Sequence, residues 1–149
     1  MNFVKKYLLL ILCVLAIVAL FLPFATITAE NDYASASSSI SGFQVAFQRI
    51  IPLVLIVGPA ALALTDFVEK LKPFKKILML ASPVACIIVA IVSYFLAAGI
   101  ASGASSAYAD VSASFGFGGI LCIVAHLATG VLGYLENKEE IKAFLNKKK

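Results

Sequence analysis

Four long apolar segments, separated by short polar stretches, dominate this chain of 149 residues. Charged side chains are absent from residues 7–29, 50–65, 77–109 and 111–135, which are runs of 23, 16, 33 and 25 residues. About 20 apolar residues in a helix cross the hydrocarbon core of a bilayer. This pattern predicts an all-α membrane protein.

The four segments predict transmembrane helices that form one four-helix bundle, a single domain over residues 1–149. The expected spans are about residues 4–24, 43–70, 74–98 and 116–135, followed by a basic cytoplasmic tail at 137–149. Pro23 suits the exit of the first span. Pro59 should kink the second span, because proline cannot donate a helical hydrogen bond.

The first apolar segment has a competing interpretation as a cleaved signal peptide, since Lys5 and Lys6 precede it. Its apolar run exceeds the roughly 7–15 residues of a signal-peptide core, and Ile27 fits poorly upstream of a cleavage site at Ala29. We favour a retained helix. The asymmetry of the remaining lysines would survive cleavage and does not separate the two interpretations.

The two loops on the outer side of the bundle carry a weak strand pattern. The Ser/Ala-rich residues 25–40 suggest a small hairpin that turns near Asn31. Residues 107–114 alternate apolar and polar, with the period of a strand. A small β-element is one interpretation of these loops, and a flexible Ser/Ala linker is the other. Ser41 and Gln44 have the capping-box spacing, which predicts a helix start there.

Basic residues are concentrated on one side of the predicted bundle. Only 13% of the residues are charged, and the net charge is +4. Eleven of the twelve lysines and arginines lie before the first span, between the second and third, or after the fourth. Because Lys/Arg excess in short loops marks the cytoplasmic side, both termini are expected in the cytoplasm. The positive charge therefore indicates topology, and no nucleic-acid partner is expected.

Three ionisable residues fall in or at the predicted spans, where burying a charge in hydrocarbon is costly: Arg49, Asp66 and His126. Arg49 is expected to snorkel to the outer headgroups. The alternative is that it braces the outer loops by pairing with Glu30, Asp32 or Asp110, or with a lipid phosphate. Asp66 precedes Lys70 by four residues, so an ion pair at the inner interface is expected. The alternative for Asp66 is a proton- or cation-coupling carboxylate.

Small side chains form a stripe on the fourth helix, at spacings that keep them on one face: Gly118, Cys122, Ala125, Thr129 and Gly133. The third helix has a comparable stripe, Ser82, Cys86, Ala90, Ser93 and Ala97. Close packing of the two helices along these stripes is expected. His126 adjoins the first stripe and should hydrogen-bond a neighbouring helix as a neutral ring. Its alternative role is proton sensing or ligand binding.

The sequence contains no arrangement typical of catalysis. There is one His, and the segments lack paired carboxylates, a phosphate loop and a His-x-x-x-His motif. We expect no catalytic, cofactor-binding or metal site. Cys13, Cys86 and Cys122 stand in apolar segments without a Cys-x-x-Cys pair, so they are expected to be buried small hydrophobic residues.

Two short motifs carry a resemblance. Phe21-Leu22-Pro23-Phe24, followed by Ser41-Gly42-Phe43, resembles small bacterial four-span membrane proteins with an LPF or LPW exit and an SGF-like re-entry. Those families are largely uncharacterised, so the resemblance implies topology. The layout also resembles the claudin group, four helices with a β-rich first outer loop. This chain lacks the Trp and paired Cys of that group, so adhesion is not implied.

These observations favour a non-enzymatic, multi-pass protein of a bacterial inner or plasma membrane. It would be an accessory, sensor or immunity-type subunit that acts through helix packing, lipid contacts or a membrane-protein partner. The alternative is a small homo-oligomeric channel or transporter. Flux through vesicles that contain the protein alone would favour the alternative, and a fixed partner with silent vesicles would favour the first hypothesis.

Overall fold

A computed structural model describes residues 3–48, 53–105 and 109–146, and the fold is mixed α/β. The helices are α1 (Phe3–Ala19), α2 (Gly42–Gln48), α3 (Val54–Leu64), α4 (Lys75–Ala104) and α5 (Phe117–Asn146), and a 3₁₀ helix at Glu69–Phe74 precedes α4. The strands are β1 (Pro23–Glu30), β2 (Ser35–Ser41) and β3 (Asp110–Phe115), which form one antiparallel sheet in the order β2-β1-β3.

The predicted all-α four-helix transmembrane bundle is wrong. The described residues form five helices and a three-stranded sheet. Within them, two helical segments are long and apolar enough to cross a membrane, Glu69–Gly103 and Phe117–Lys138. The first two predicted spans fail for separate reasons, given in the next two paragraphs.

The first apolar segment changes from helix to strand within its charge-free run. Helix α1 ends at Ala19, and a tight turn follows, in which the N–H of Leu22 donates to the Ala19 carbonyl at 3.2 Å. Strand β1 then begins at Pro23, which cannot continue a helix. Since α1 has 17 residues, it is shorter than the predicted span at 4–24.

The second predicted span, 43–70, is not one helix in the described residues. Helix α2 has seven residues and α3 has 11, with Pro59 inside α3. Helix α3 ends beside Thr65, whose hydroxyl donates to the Leu62 carbonyl at 2.7 Å. A turn with hydrogen bonds to the Leu64 carbonyl follows. An 11-residue helix rises about 16 Å, roughly half of the hydrocarbon thickness.

The predicted small β-element is confirmed. The turn at Asn31 is closed by its side-chain Oδ1, which accepts hydrogen bonds from the N–H groups of Tyr33 at 3.0 Å and Ala34 at 2.7 Å. Strand β1 pairs with β2 on one side and with β3 on the other. Side chains of β3 alternate between exposed and half-buried, as the period of two predicted.

The capping box at the start of α2 is also confirmed. The N–H of Ser41 donates to Gln44 Oε1 at 2.9 Å, and the N–H of Gln44 donates to Ser41 Oγ at 3.3 Å. These reciprocal bonds satisfy donors that a helix start otherwise leaves unpaired.

The two long helices extend beyond their predicted spans. Helix α4 has 30 residues, against the predicted 74–98, and α5 also has 30, against 116–135. Helix α5 therefore continues through residue 146, so that most of the predicted tail at 137–149 is helical.

Two buried clusters hold the helices together. One lies near the sheet and contains Ala19, Leu20, Phe24, Ala25, Leu55, Cys86, Ala90 and Cys122. The other lies toward the start of α1 and contains Leu9, Cys13, Leu62, Met79 and Leu132. Helix α5 packs against both α4 and α1, and α3 packs against α1 and α4. The sheet therefore covers one end of the helices and leaves the other end to polar side chains.

Candidate functional site

Charged side chains from three helices meet at the end of the molecule opposite the sheet. There they line a cavity of about 470 Å³, which we call the basic pocket. Its lining residues are Lys5, Lys75, Lys76, Met79, Leu135, Glu136 and Asn137. Lysines in the first turns of α1 and α4 and polar residues late in α5 come together because these three helices pack side by side. Three ammonium groups thus share one cavity with a single lining carboxylate.

Two polar side chains of the basic pocket, Asn137 and Glu136, differ in their hydrogen bonding. The Asn137 amide, in a buried side chain, donates to the Gly133 carbonyl at 2.9 Å. Oε1 of Glu136 is buried and has no hydrogen-bond partner among the described residues. A buried carboxylate oxygen without a donor costs free energy. Glu136 therefore bears a polar oxygen that the surrounding described residues leave unsatisfied.

Asp66 contributes to the same end of the molecule through Lys75. Its Oδ1 accepts a hydrogen bond from Lys75 Nζ at 2.6 Å, and both side chains are largely buried, at 19% and 16% exposure. The predicted partner was Lys70. That expectation assumed a continuous helix through both residues, but α3 ends at Leu64, so Asp66 reaches across to the first turn of α4.

Lys6 also lies at this end, with its ammonium 5.3 Å from the centre of the Phe67 ring. This cation–π contact joins α1 to the turn that follows α3. A smaller cavity of about 60 Å³ lies between these elements and includes Asp66 in its lining. Lys6 and Lys75 thus both contact the turn that follows α3, through Phe67 and Asp66.

His126 lies in the middle of α5 beside a third cavity, which is apolar. The cavity, of about 310 Å³, lies between α4 and α5, and we call it the apolar groove: Leu80, Pro83, Val84, Ile87, His126, Leu127, Gly130, Val131 and Tyr134. His126 is 2% exposed. Its Nε2 is buried and has no hydrogen-bond partner in the described part of the chain. The interhelical bond expected for this ring is thus not made by Nε2.

The small residues of α5 are buried but face two different neighbours. Cys122, Ala125 and Thr129 are at most 2% exposed. A Cβ added at Gly133 would lie 2.6 Å from the Met79 carbonyl oxygen of α4, whereas one added at Gly118 would lie 2.6 Å from the Ala19 carbonyl oxygen of α1. The stripe therefore contacts α4 toward the basic pocket and α1 toward the sheet.

The stripe on α4 is buried in its first half only. Cys86 and Ala90 are fully buried and Ser82 nearly so, while Ser93 and Ala97 are half-buried. Pro83 lies inside α4 and lacks an N–H, so the Met79 carbonyl loses its helical donor. The close approach of Gly133 places a Cα–H group near that carbonyl, a weak contact that partly compensates it.

The three cysteines are free and buried. Cys86 donates its S–H to the Val54 carbonyl at 3.4 Å, which links α4 to α3. Among the described residues, no group of three or more His, Cys, Asp or Glu side chains is arranged to hold a metal ion. Arg49, the remaining candidate from the sequence, lies outside the described residues.

The basic pocket was not predicted as a site. The sequence showed the lysines as a topology signal, and the meeting of Lys5 with Lys76 and Glu136 depends on how three helices pack. A signal for this pocket was present in the sequence, because Lys5, Lys76 and Glu136 all lie next to the ends of apolar runs. Comparison with known proteins finds no family model that matches the chain and no curated protein that matches it significantly.

Proposed function

We propose that the chain is an integral membrane protein in which α4 and α5 cross the bilayer. It acts without catalysis, as an accessory, sensor or immunity-type subunit of a bacterial inner or plasma membrane, through contacts with lipid or a membrane-protein partner. Helices α1 and α3 pack beside these two helices and run between the same two ends of the molecule, since β1, which follows α1, pairs with β3.

The main support for this proposal is the exposure of apolar side chains on the two long helices, α4 and α5. Of the 18 most apolar consecutive residues in the segment that contains α4, only 17% are buried within the protein. The corresponding share in α5 is 44%. The core helix of a water-soluble protein is mostly buried instead. Side chains such as Ile88, Phe95 and Ile100 are more than half exposed. A contiguous apolar surface of this kind is typical of contact with lipid or with a partner.

The distribution of charge supports an orientation. Lys5, Lys75 and Lys76 lie together at the basic pocket. Glu30 and Asp110 are paired neighbours in the sheet at the opposite end. Lys/Arg excess marks the cytoplasmic side, so we assign the basic pocket and both termini to the cytoplasm and the sheet to the outer face.

Membrane insertion is tested by alkaline extraction of membranes from cells that express the full chain. An integral protein stays in the pellet and is released only by detergent. Release into the alkaline supernatant would contradict the proposal.

Orientation is tested by labelling with a membrane-impermeant maleimide. The native cysteines are buried, so introduced thiols can be read separately. Ser37→Cys in exposed β2 should react in intact cells, while Lys70→Cys should react only after the membrane is permeabilised. Both variants should react equally in detergent, which controls for accessibility. The reverse pattern in intact cells would overturn the orientation.

The mode of action is tested with the purified protein in vesicles and by co-purification from the native membrane. Vesicles that remain impermeable to ions and small solutes, together with recovery of a stoichiometric membrane partner or bound lipid, are the expected result. A solute flux that depends on the protein alone would show that the protein is a channel or transporter and would refute the accessory role.

A further inference from the structure

We propose that strand β2 is a docking edge for another protein, whose extended segment pairs with β2 as a fourth strand of the sheet. This segment carries basic residues beside the turn at Asn31. The proposal rests on the proposed function only for the side of the membrane, since that function assigns the sheet to the outer face. It goes further by naming the contact surface and the kind of partner.

The two edges of the sheet differ in how their backbone groups are bonded. On the outer edge of β3, the N–H of Val111 donates to Ser105 Oγ at 3.0 Å, and the Ser105 hydroxyl donates to the Val111 carbonyl at 3.2 Å. The next outward carbonyl, that of Ala113, accepts a hydrogen bond from the Tyr94 hydroxyl. Side chains in and just after α4 therefore close the edge of β3.

The register of the sheet shows which groups β2 directs outward. Successive residues of an antiparallel strand face its two sides alternately. Val111 faces away from β1 and lies opposite Ala29, which lies opposite Ala36 of β2. Ala29 therefore faces β2 and bonds to Ala36, and the alternate residues of β2 face outward. The residues with outward N–H and C=O groups are Ser35, Ser37 and Ser39.

The outer edge of β2 has no corresponding closure. Within the described residues, no group bonds to the outward N–H and C=O groups of these three serines. Proteins commonly protect an exposed edge with a charged residue or a proline. Strand β2, Ser-Ala-Ser-Ser-Ser-Ile-Ser, has neither, and its first five residues are exposed. An added strand would meet unpaired donors and acceptors, which is the basis of recognition by strand addition.

The charge beside this edge indicates the partner. Three carboxylates lie at the turn end of the sheet: Glu30, Asp32 and Asp110. Glu30 lies directly opposite Asp110, and like charges in this position destabilise a sheet. The three strands contain no Lys or Arg. A second copy of the sheet would add only acidic charge, so a different, basic segment fits better. Tyr33 in the turn is 95% exposed and offers this segment an aromatic contact.

Binding of a synthetic strand to the full chain tests the proposal. The probe is a fluorescent peptide, Thr-Val-Thr-Val-Thr-Lys-Lys, which places its lysines beside the acidic turn when it runs antiparallel to β2. Fluorescence anisotropy with the chain in phosphatidylcholine nanodiscs should show saturable binding, and empty nanodiscs should not. Amide hydrogen exchange should slow at Ser35, Ser37 and Ser39. Exchange at Ser38, which already faces β1, should not change.

Matched variants separate backbone pairing from side-chain contact. Ser37→Pro removes an outward N–H and keeps the bonds to β1, so it should weaken binding about tenfold or more. Ser37→Ala keeps that N–H and should bind like the original chain. Glu30→Gln/Asp32→Asn should weaken binding about threefold, and less at high salt. If Ser37→Pro fails to fold by circular dichroism, a probe N-methylated at two adjacent central amides should show the same loss on the original chain.

Four results would overturn the proposal. Absence of saturable binding below about 1 mM would show that the edge takes no added strand. Unchanged binding by Ser37→Pro or by the N-methylated probe would reduce the effect to side-chain contact. Equal binding of a probe that ends in Glu-Glu would remove the preference for a basic partner. Dimers of the original chain that Ser37→Pro dissociates would assign the edge to a second copy. Alkaline extraction and maleimide labelling would stand in each case, so the docking edge fails separately from membrane insertion.

Discussion

The two ends of the α4–α5 pair are built by different forces. At the sheet end, backbone hydrogen bonds join β1 to both of its neighbours, and the N–H of Gly116 donates to the Phe24 carbonyl at 2.9 Å. At the basic end, charged side chains surround a cavity, and Lys75 donates a hydrogen bond of 2.6 Å to Asp66. The sheet end is thus held by backbone hydrogen bonds, whereas the basic end is held by charged side chains around an open cavity.

The largest expected effect comes from filling the sheet end. A Cβ at Gly116 would overlap the Pro23 carbonyl oxygen, and only backbone movement can relieve such an overlap. Gly116→Val should destabilise the protein by about 3 kcal/mol or more, because overpacking against backbone has no cheap relaxation. The measurement is thermal unfolding in detergent.

Gly99→Val is the matched control for this change, because no atom lies within 4 Å of a Cβ at that position. Its stability should stay near that of the original chain. Equal stability of the two variants would show that the sheet end is not closed in this way.

Breaking the ion pair at the basic end should have a smaller effect. Asp66→Asn leaves Lys75 largely buried beside a neutral amide and should cost about 1–2 kcal/mol, less than a fully buried pair because some exposure remains. A double-mutant cycle with Lys75→Met isolates the pair. Glu69→Gln removes the exposed partner of Lys72 and should change stability little. A coupling near zero would contradict the role of this pair.

His126 lies between the two ends and is predicted to change stability in the opposite direction. Its buried Nε2 has no partner among the described residues. Replacing it with an apolar side chain of similar length removes an unsatisfied group. His126→Leu should therefore raise stability by about 1 kcal/mol in detergent, and His126→Gln should not. Loss of stability in the Leu variant would reveal a hydrogen bond that the ring makes.

The smallest effect is expected from removing one side-chain hydrogen bond that joins α4 to strand β3. Tyr94 on α4 donates its hydroxyl to the Ala113 carbonyl of β3 at 3.0 Å, and its ring stacks on Phe115 with the ring centres 3.9 Å apart. Tyr94→Phe keeps the stacking and should cost about 0.5–1 kcal/mol. Tyr94→Ala, which loses both contacts, should cost clearly more. Equal costs would mean that the stacking contributes nothing.

Local signals in the sequence predicted local structure well. Asn31, the Ser41–Gln44 spacing and the alternation before Phe115 each act through neighbouring residues, and each is found in the structure. Hydropathy predicted where the apolar segments lie. It could not show where α1 stops, because Phe24 and Ala25 continue the apolar run inside β1. The β-branched Thr26, Ile27 and Thr28 were the signal for a strand there.

Contacts between distant segments were beyond the sequence pattern. The partner of Asp66 was predicted wrongly because spacing along a helix applies only while the helix continues, and the turn after Leu64 ends it. The basic pocket depends on the packing of α1, α4 and α5, for which the positions of Lys5, Lys76 and Glu136 along the chain give no distance. Burial of Gly118 against α1 was missed for the same reason.

The central place of β1 in the sheet sets an order for folding. Strand β1 can pair with β2 through a short local turn, but its other edge must wait for β3, which the chain supplies only after α4. Closing such a distant pair is slow compared with forming a hairpin. During synthesis, one edge of β1 therefore stays open until α4 and β3 have emerged, and the arrival of β3 both completes the sheet and sets the starting point of α5.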